Sequence, residues 1–175
     1  TCALPILQQS KIGMDEMSAP NNHGVWYDAT SLALANFTGD TVLATKIVKR
    51  AAERLDKEMD EKGYFPLELA RTTSLHYSTF IIDAFTLVAH LAERTPIDFW
   101  NLQTPSGKSL KMGYDALLPH LAGTKPWTSK QIKPFNHSNS YQFLWKASQK
   151  YNCSSCIGII KKTAPNFDAL VLQLL

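Results

Sequence analysis

The chain has 175 residues, of which 45% are hydrophobic and 19% charged, and this is the size and composition of one globular domain. Its most apolar run, residues 80–91, is too short for a bilayer and carries Asp83 and His90, so no membrane-spanning segment is expected. The net charge of +3 divides unevenly: residues 1–100 carry nine Lys and Arg against thirteen Asp and Glu, whereas residues 101–175 carry nine Lys against two Asp. The basic half suits a polyanionic partner or a solvated surface, and no nucleic-acid-binding motif accompanies it.

Helical periodicity runs through nearly the whole sequence and no stretch alternates at period two, so an all-α fold is predicted. Asp40 is expected to cap the second helix and Thr73 or Ser74 the third, while Phe65 and Pro66 open an irregular link between them. The third helix is apolar on more than one side and should lie between neighbours. The predicted helices, in chain order, cover residues 22–36, 40–63, 74–93, 109–121 and 138–151, with a weak last helix at 167–174.

Cysteines and glycosylation sequons bear on the compartment of the protein. Cys153 and Cys156 form a C-x-x-C pair without a second pair or trailing histidines, which favours a disulfide or inert thiols over a zinc site. The sequons at Asn36, Asn136 and Asn152 fit a secreted eukaryotic glycoprotein. No metal and no cofactor are predicted.

Two segments contain most of the side chains that could perform chemistry. Residues 21–28 read Asn-Asn-His-Gly-Val-Trp-Tyr-Asp, and residues 66–77 read Pro-Leu-Glu-Leu-Ala-Arg-Thr-Thr-Ser-Leu-His-Tyr. They supply the groups that β-elimination of a 4-linked uronate requires. Amide and guanidinium donors can neutralise the uronate carboxylate while C5 loses its proton. An imidazole and a phenol can act as the base and as the acid that protonates the departing O4.

Each of these residues also has an ordinary structural explanation. Asn22 could cap the first helix, and Arg71 could form a weak surface ion pair with Glu68. Tyr77 begins an apolar stripe on its helix, which is typical of a core aromatic. Isolated tryptophans pack more often than they stack on sugars. Residue types alone leave these alternatives open.

The order and spacing of the two segments resemble the alginate lyase family, which is related to polysaccharide lyase family 5. The likeness spans about Pro20 to Phe135, with Leu-Leu-Pro-His-Leu at 117–121 and Lys-Pro-Trp at 125–127 as weaker matches. The resemblance implies an incomplete α/α toroid. Residues 1–175 would form a single helical domain of that family that lacks its N-terminal helices, as a fragment of a longer lyase would.

The resemblance also implies roles for individual residues. Asn22 and Arg71 would neutralise the uronate carboxylate. His23 would help to bind it, or act as base when the C5 proton and the leaving group lie on opposite faces. Tyr77 would protonate O4, and would also remove the C5 proton when both lie on one face. Three further residues are expected to contact substrate: His76, Trp26 and Trp127.

The sequence thus predicts a secreted or periplasmic polysaccharide lyase, a monomer whose partner is an anionic polysaccharide such as alginate or glucuronan. Its product would carry an unsaturated uronate end. One alternative is a helical domain that binds an acidic polysaccharide without catalysis. Another is a glycoside hydrolase on an α/α scaffold, for which Asp28, Glu68 and Asp83 are available although nothing in the sequence pairs them.

Overall fold

The fold is all-α, as predicted. A computed structural model describes residues 7–164; within that range it has no β-strand, and an isolated β-bridge joins Thr73 to Gln131. The helices are α1 (Lys11–Ser18), α2 (Asn22–Thr38), α3 (Thr41–Glu58), α4 (Pro66–Leu69), α5 (Ser74–Ala92), α6 (Leu110–Leu121), a 3₁₀ helix (His137–Ser140), α7 (Tyr141–Lys150) and α8 (Ser154–Thr163).

Side-chain caps fix where α2 and α3 begin. Asn21 rather than Asn22 caps α2, because its Oδ1 accepts the backbone N–H of His23 at 3.0 Å. The interpretation of Asn22 as the cap is therefore wrong. Asp40 caps α3 as predicted, with Oδ1 accepting from the N–H of Leu43 at 2.9 Å. Between the two helices Gly39 has a left-handed φ of 74°, which ends α2 at low conformational cost.

The long helix α5 forms the centre of the fold. It packs against α2, α3, α4, α6, α7 and the 3₁₀ helix, and its side chains Ile81, Phe85 and Val88 are fully buried. Its length and composition alone would allow it to cross a membrane, yet 61% of the stretch is buried inside the fold, as in the core helix of a globular protein. Because neighbours surround α5, its first turn is held firmly, and that turn carries His76 and Tyr77.

Several elements differ from the prediction. Helices α1, α4 and α8 were not predicted, and the segment predicted as a helix from residue 138 begins as a 3₁₀ turn. These elements are short, so their apolar residues do not complete a recognisable helical period. Cys153 and Cys156 form a disulfide at the start of α8, where Cys153 Sγ accepts the N–H of Cys156 at 3.2 Å. The predicted helix at 167–174 lies outside the described residues.

Candidate functional site

The two predicted segments meet through Asn22 and Glu68. Asn22 is the first residue of α2 and only 3% exposed; its backbone N–H and its Nδ2 both donate to Glu68 Oε1, at 2.8 and 2.9 Å. Glu68 lies in α4 and is fully buried. The backbone carbonyl of Glu68 accepts the N–H of Arg71 at 3.2 Å. Glu68 therefore connects both residues that were predicted to neutralise a carboxylate.

Arg71 lies over the ring of Tyr77. The guanidinium carbon is 3.8 Å from the ring centroid, within the range of a cation–π contact worth about 0.5 to 2 kcal/mol. The Tyr77 residue is half-buried. Within residues 7–164, no carboxylate forms an ion pair with Arg71, so the predicted alternative of a surface pair with Glu68 is wrong. The positive charge of Arg71 is not neutralised by a neighbouring acid in that range.

Aromatic contacts lead from Tyr77 back to α2. The ring of His76 lies edge-on to Tyr77 at 5.4 Å and stacks on Phe80 at 6.0 Å, and Phe80 is 4.9 Å from Trp26. Trp26 follows Asn22 by one helical turn, so these contacts return to the helix on which they began. We call this series of contacts, which begins and ends on α2, the site circuit; its members are Asn22, Glu68, Arg71, Tyr77, His76, Phe80 and Trp26.

His23 lies at the edge of the site circuit, next to Asn22. Its Nδ1 is 2.8 Å from Glu16 Oε2 on α1, and about half of its side chain is exposed. In the tautomer in which Nδ1 carries the ring proton, the Nδ1–H group donates a hydrogen bond to Glu16. The lone pair that a base requires is then on Nε2. Glu16 therefore orients the imidazole of His23. Sequence reasoning missed this contact because it did not predict α1.

A second missed contact holds His76. The amide Nδ2 of Asn139 is 3.1 Å from His76 Nδ1, across 63 residues of sequence. Asn139 belongs to the short 3₁₀ helix, which has no apolar period. No sequence signal pointed to it.

Trp127 lies outside the site circuit. Its indole N–H donates to Ser74 Oγ at 2.8 Å, and its ring meets His120 edge-on at 4.9 Å. It lines a cavity of about 300 Å³ together with Tyr64 and Lys125. Within the described residues, the ring and hydrogen-bond contacts of Trp127 run to these neighbours and not to members of the site circuit. It is nevertheless anchored at Ser74, the first residue of α5.

A buried charge network supports α2. Asp28 is fully buried between Arg50 and Arg54, at 2.5 and 2.8 Å. Burial raises the pKa of Asp28, and the two arginines oppose that shift. Glu58, whose side chain is 11% exposed and 3.2 Å from Arg54, has its pKa raised to about 7, chiefly by burial. Gly24 leaves room for this network, because a Cβ there would lie 2.5 Å from Arg54 Nη1.

Comparison with known proteins identifies the family. The family model described as alginate lyase matches residues 3–127 of the 175. The chain belongs to the alginate lyase family. All members of the site circuit fall inside the region that this alginate lyase model matches. No curated protein matches the chain.

A solved structure of this family is similar over most of the chain. It is the crystal structure of an alginate lyase from Bacteroides ovatus, with a TM-score of 0.81 and 29% sequence identity. The match covers 91% of this chain and 43% of the Bacteroides ovatus lyase, so the chain spans less than half the length of that protein. This similarity confirms the all-α toroid fold that the resemblance implied.

Proposed function

We propose that the protein is a polysaccharide lyase that cleaves a 4-linked polyuronate, such as alginate or glucuronan, by β-elimination. The observation that supports this best is the site circuit: the Asn22 amide is bonded to Glu68, three residues before Arg71, and the Arg71 guanidinium lies on the ring of Tyr77. Membership of the alginate lyase family supports the general class of reaction. The partner is accordingly an anionic polysaccharide.

The first requirement is neutralisation of the uronate carboxylate. Removing the C5 proton places a second negative charge next to this group, so donors must stabilise the enolate that forms. Arg71 suits this role, because no acid within residues 7–164 pairs with it and its fork of N–H donors matches a carboxylate. Asn22 provides a second donor that does not titrate.

The second requirement is a pair of proton transfers. His23 or Tyr77 takes the proton from C5, and the C5–H electron pair becomes the C4=C5 double bond as the C4–O4 bond breaks. Tyr77 then gives a proton to the departing O4, and no water enters the product. When proton and leaving group lie on one face of the sugar, Tyr77 acts from its phenolate form: the phenolate takes the C5 proton, and the phenol so formed returns it to O4. His23, oriented by Glu16, serves as base when they lie on opposite faces.

The hydrolase alternative has less support. Hydrolysis of a glycosidic bond needs two carboxyl groups on either side of the bond. Asp28 and Glu68 are fully buried and bonded to Arg54 and Asn22 respectively. Neither Asp28 nor Glu68 is therefore available as the second catalytic acid beside Asp83, whose pKa is raised by burial to about 6.

The decisive experiment is a lyase assay on the natural full-length protein. Mannuronate-rich alginate, guluronate-rich alginate and glucuronan are each incubated with the protein, and the ultraviolet absorbance of the unsaturated product is followed. Tyr77→Phe is expected to lower kcat by at least about 100-fold, since it removes the proton donor. Tyr151→Phe, whose hydroxyl bonds to the Trp100 carbonyl on another part of the fold, is the matched control and should keep its activity.

Three outcomes would contradict this proposal. Absence of absorbance with all three polymers would exclude a polyuronate lyase. Products heavier by one water per cleavage would indicate hydrolysis. Equal polymer binding by the natural protein and Tyr77→Phe, with no product from either, would select the non-catalytic binding domain.

A further inference from the structure

Glu68 makes two contacts with Asn22, and only one of them, to a backbone N–H in the first turn, is explained by the start of α2. One oxygen of its carboxylate, Oε1, accepts both the backbone N–H and the side-chain Nδ2 of Asn22, a residue 46 positions earlier in the chain. Asn21 already caps α2 with its own side chain. The bond to the Asn22 amide is therefore additional to what the helix start needs.

A buried carboxylate is a costly way to make these two bonds. Burying an ionised group carries a far larger desolvation penalty than burying a neutral amide, which could accept the same hydrogens. Glu68 is fully buried, and its second oxygen, Oε2, has no hydrogen-bond partner among the residues described. All side-chain hydrogen bonds of Glu68 in this range thus go to Asn22.

A carboxylate supplies something that a neutral amide does not, which is a stronger, charge-assisted hold on the Asn22 amide. An ionised carboxylate only accepts hydrogen bonds, whereas the Asn side chain has an accepting end and a donating end of similar shape. Opposite Glu68 the amide of Asn22 can only present Nδ2, because its oxygen would meet another acceptor. A Gln at position 68 would keep its oxygen on the backbone N–H of Asn22, which can only donate, but its uncharged hydrogen bond would hold the Asn22 amide less firmly.

We propose that Glu68 is a positioning residue that sets the amide of Asn22 for catalysis. With one Nδ2 hydrogen held by Glu68, the second Nδ2 hydrogen is the donor that meets the uronate carboxylate. The main-chain carbonyl of Glu68 also accepts the N–H of Arg71, so the residue that holds the Asn22 amide lies in the turn that leads to Arg71. This inference rests on the proposed lyase activity and assigns to Glu68 a role in that reaction.

A double-mutant cycle in the natural full-length protein tests this role. Removing the donor with Asn22→Ala should lower kcat by about 100- to 1,000-fold. Glu68→Ala should lower it about 100-fold through misplacement of that donor, and Glu68→Gln about 10-fold, with KM changed less than about 3-fold in both. In the Asn22→Ala background, Glu68→Ala should cost less than about 2-fold more, because the group on which it acts is gone.

Controls separate positioning from folding. Glu53→Gln changes an exposed glutamate on α3 and should leave kcat and KM unchanged. Circular dichroism and urea unfolding of each variant report the folded state. If Glu68→Ala does not fold, the cycle is completed with Glu68→Gln, which keeps a hydrogen-bond acceptor of the same size.

Each result either supports or overturns the inference. Multiplicative losses in the double variant, or a natural kcat in Glu68→Ala, would show that Glu68 does not act through Asn22. An effect confined to KM would likewise overturn the positioning role. If the natural protein forms no unsaturated product at all, the proposed function fails and this inference fails with it. Activity in the natural protein with independent losses overturns this inference alone.

Discussion

Replacing Asp28 by alanine is expected to destabilise the fold without touching the site circuit directly. Asp28 is the last residue of the segment Asn-Asn-His-Gly-Val-Trp-Tyr-Asp and is fully buried on α2. It accepts hydrogen bonds from Arg50 at 2.7 Å and from Arg54 at 2.8 Å. The substitution removes the carboxylate and leaves both guanidinium groups in place.

The size of the effect follows from the burial of Arg54. Its side chain is only 10% exposed, so it cannot recover full hydration when Asp28 is lost. Breaking a buried ion pair by removing one partner costs about 3 to 5 kcal/mol. Arg54 keeps Glu58 at 3.2 Å and the backbone carbonyls of Ala19 and Met17 as partners, which compensates in part and places the expected loss near the lower limit, about 3 kcal/mol. The raised pKa of Asp28 agrees that burial of the pair is itself costly.

Urea unfolding followed by far-ultraviolet circular dichroism measures this loss as a change in the free energy of unfolding. The matched control is Asp115→Ala, which removes a surface ion pair between Lys111 and Asp115, both more than half exposed. That control should lose no more than about 0.5 kcal/mol. A decrease in the free energy of unfolding below about 1 kcal/mol for Asp28→Ala, or one equal to that of the control, would refute the reasoning that buried Arg54 loses an ion-pair partner it needs.

Two further predictions concern stability. Between pH 5 and pH 7 Glu58 and Asp83 should make the free energy of unfolding rise as the pH falls, because burial raises the pKa of Glu58 from 4.5 to about 7 and that of Asp83 from 3.8 to about 6, so that both bind more protons folded than unfolded. Burial lowers the pKa of His120 and His137, which oppose this slope, so the contribution of Glu58 is measured as the difference between the natural protein and Glu58→Gln. Urea midpoints across this window measure the slope, and a slope of natural size in Glu58→Gln would exclude a contribution from Glu58. Gly24→Ala should cost about 1 to 3 kcal/mol, because its Cβ would lie 2.2 Å from the backbone oxygen of Ala19 and 2.5 Å from Arg54 Nη1 in a packed interior. Gly158→Ala, in α8 with no atom within 4 Å of the new Cβ, should instead gain about 0.5 to 1 kcal/mol, and equal effects of the two would show that Gly24 is not crowded.

The sequence by itself determined the helix class and most limits of the main helices, although α3 ends at Glu58 and not at residue 63 as predicted. Leu43 and Leu55 recur at helical spacing, and Asp40 and Gly39 are residue types that start one helix and end another. These features depend on residues within one or two turns of each other, so a linear reading is sufficient. The same reading found the amide, imidazole, guanidinium and phenol of the candidate site, because they lie in two short segments.

Only the tertiary structure decided how those groups meet. Glu68 reads in the sequence as a surface partner for Arg71 or as a hydrolase acid, yet it is buried and holds Asn22 from 46 residues away. Asn139 reaches His76 across 63 residues. Such contacts depend on how α2, α4 and α5 pack against one another, and packing is a property of whole surfaces. A local pattern of residue types carries no information about it.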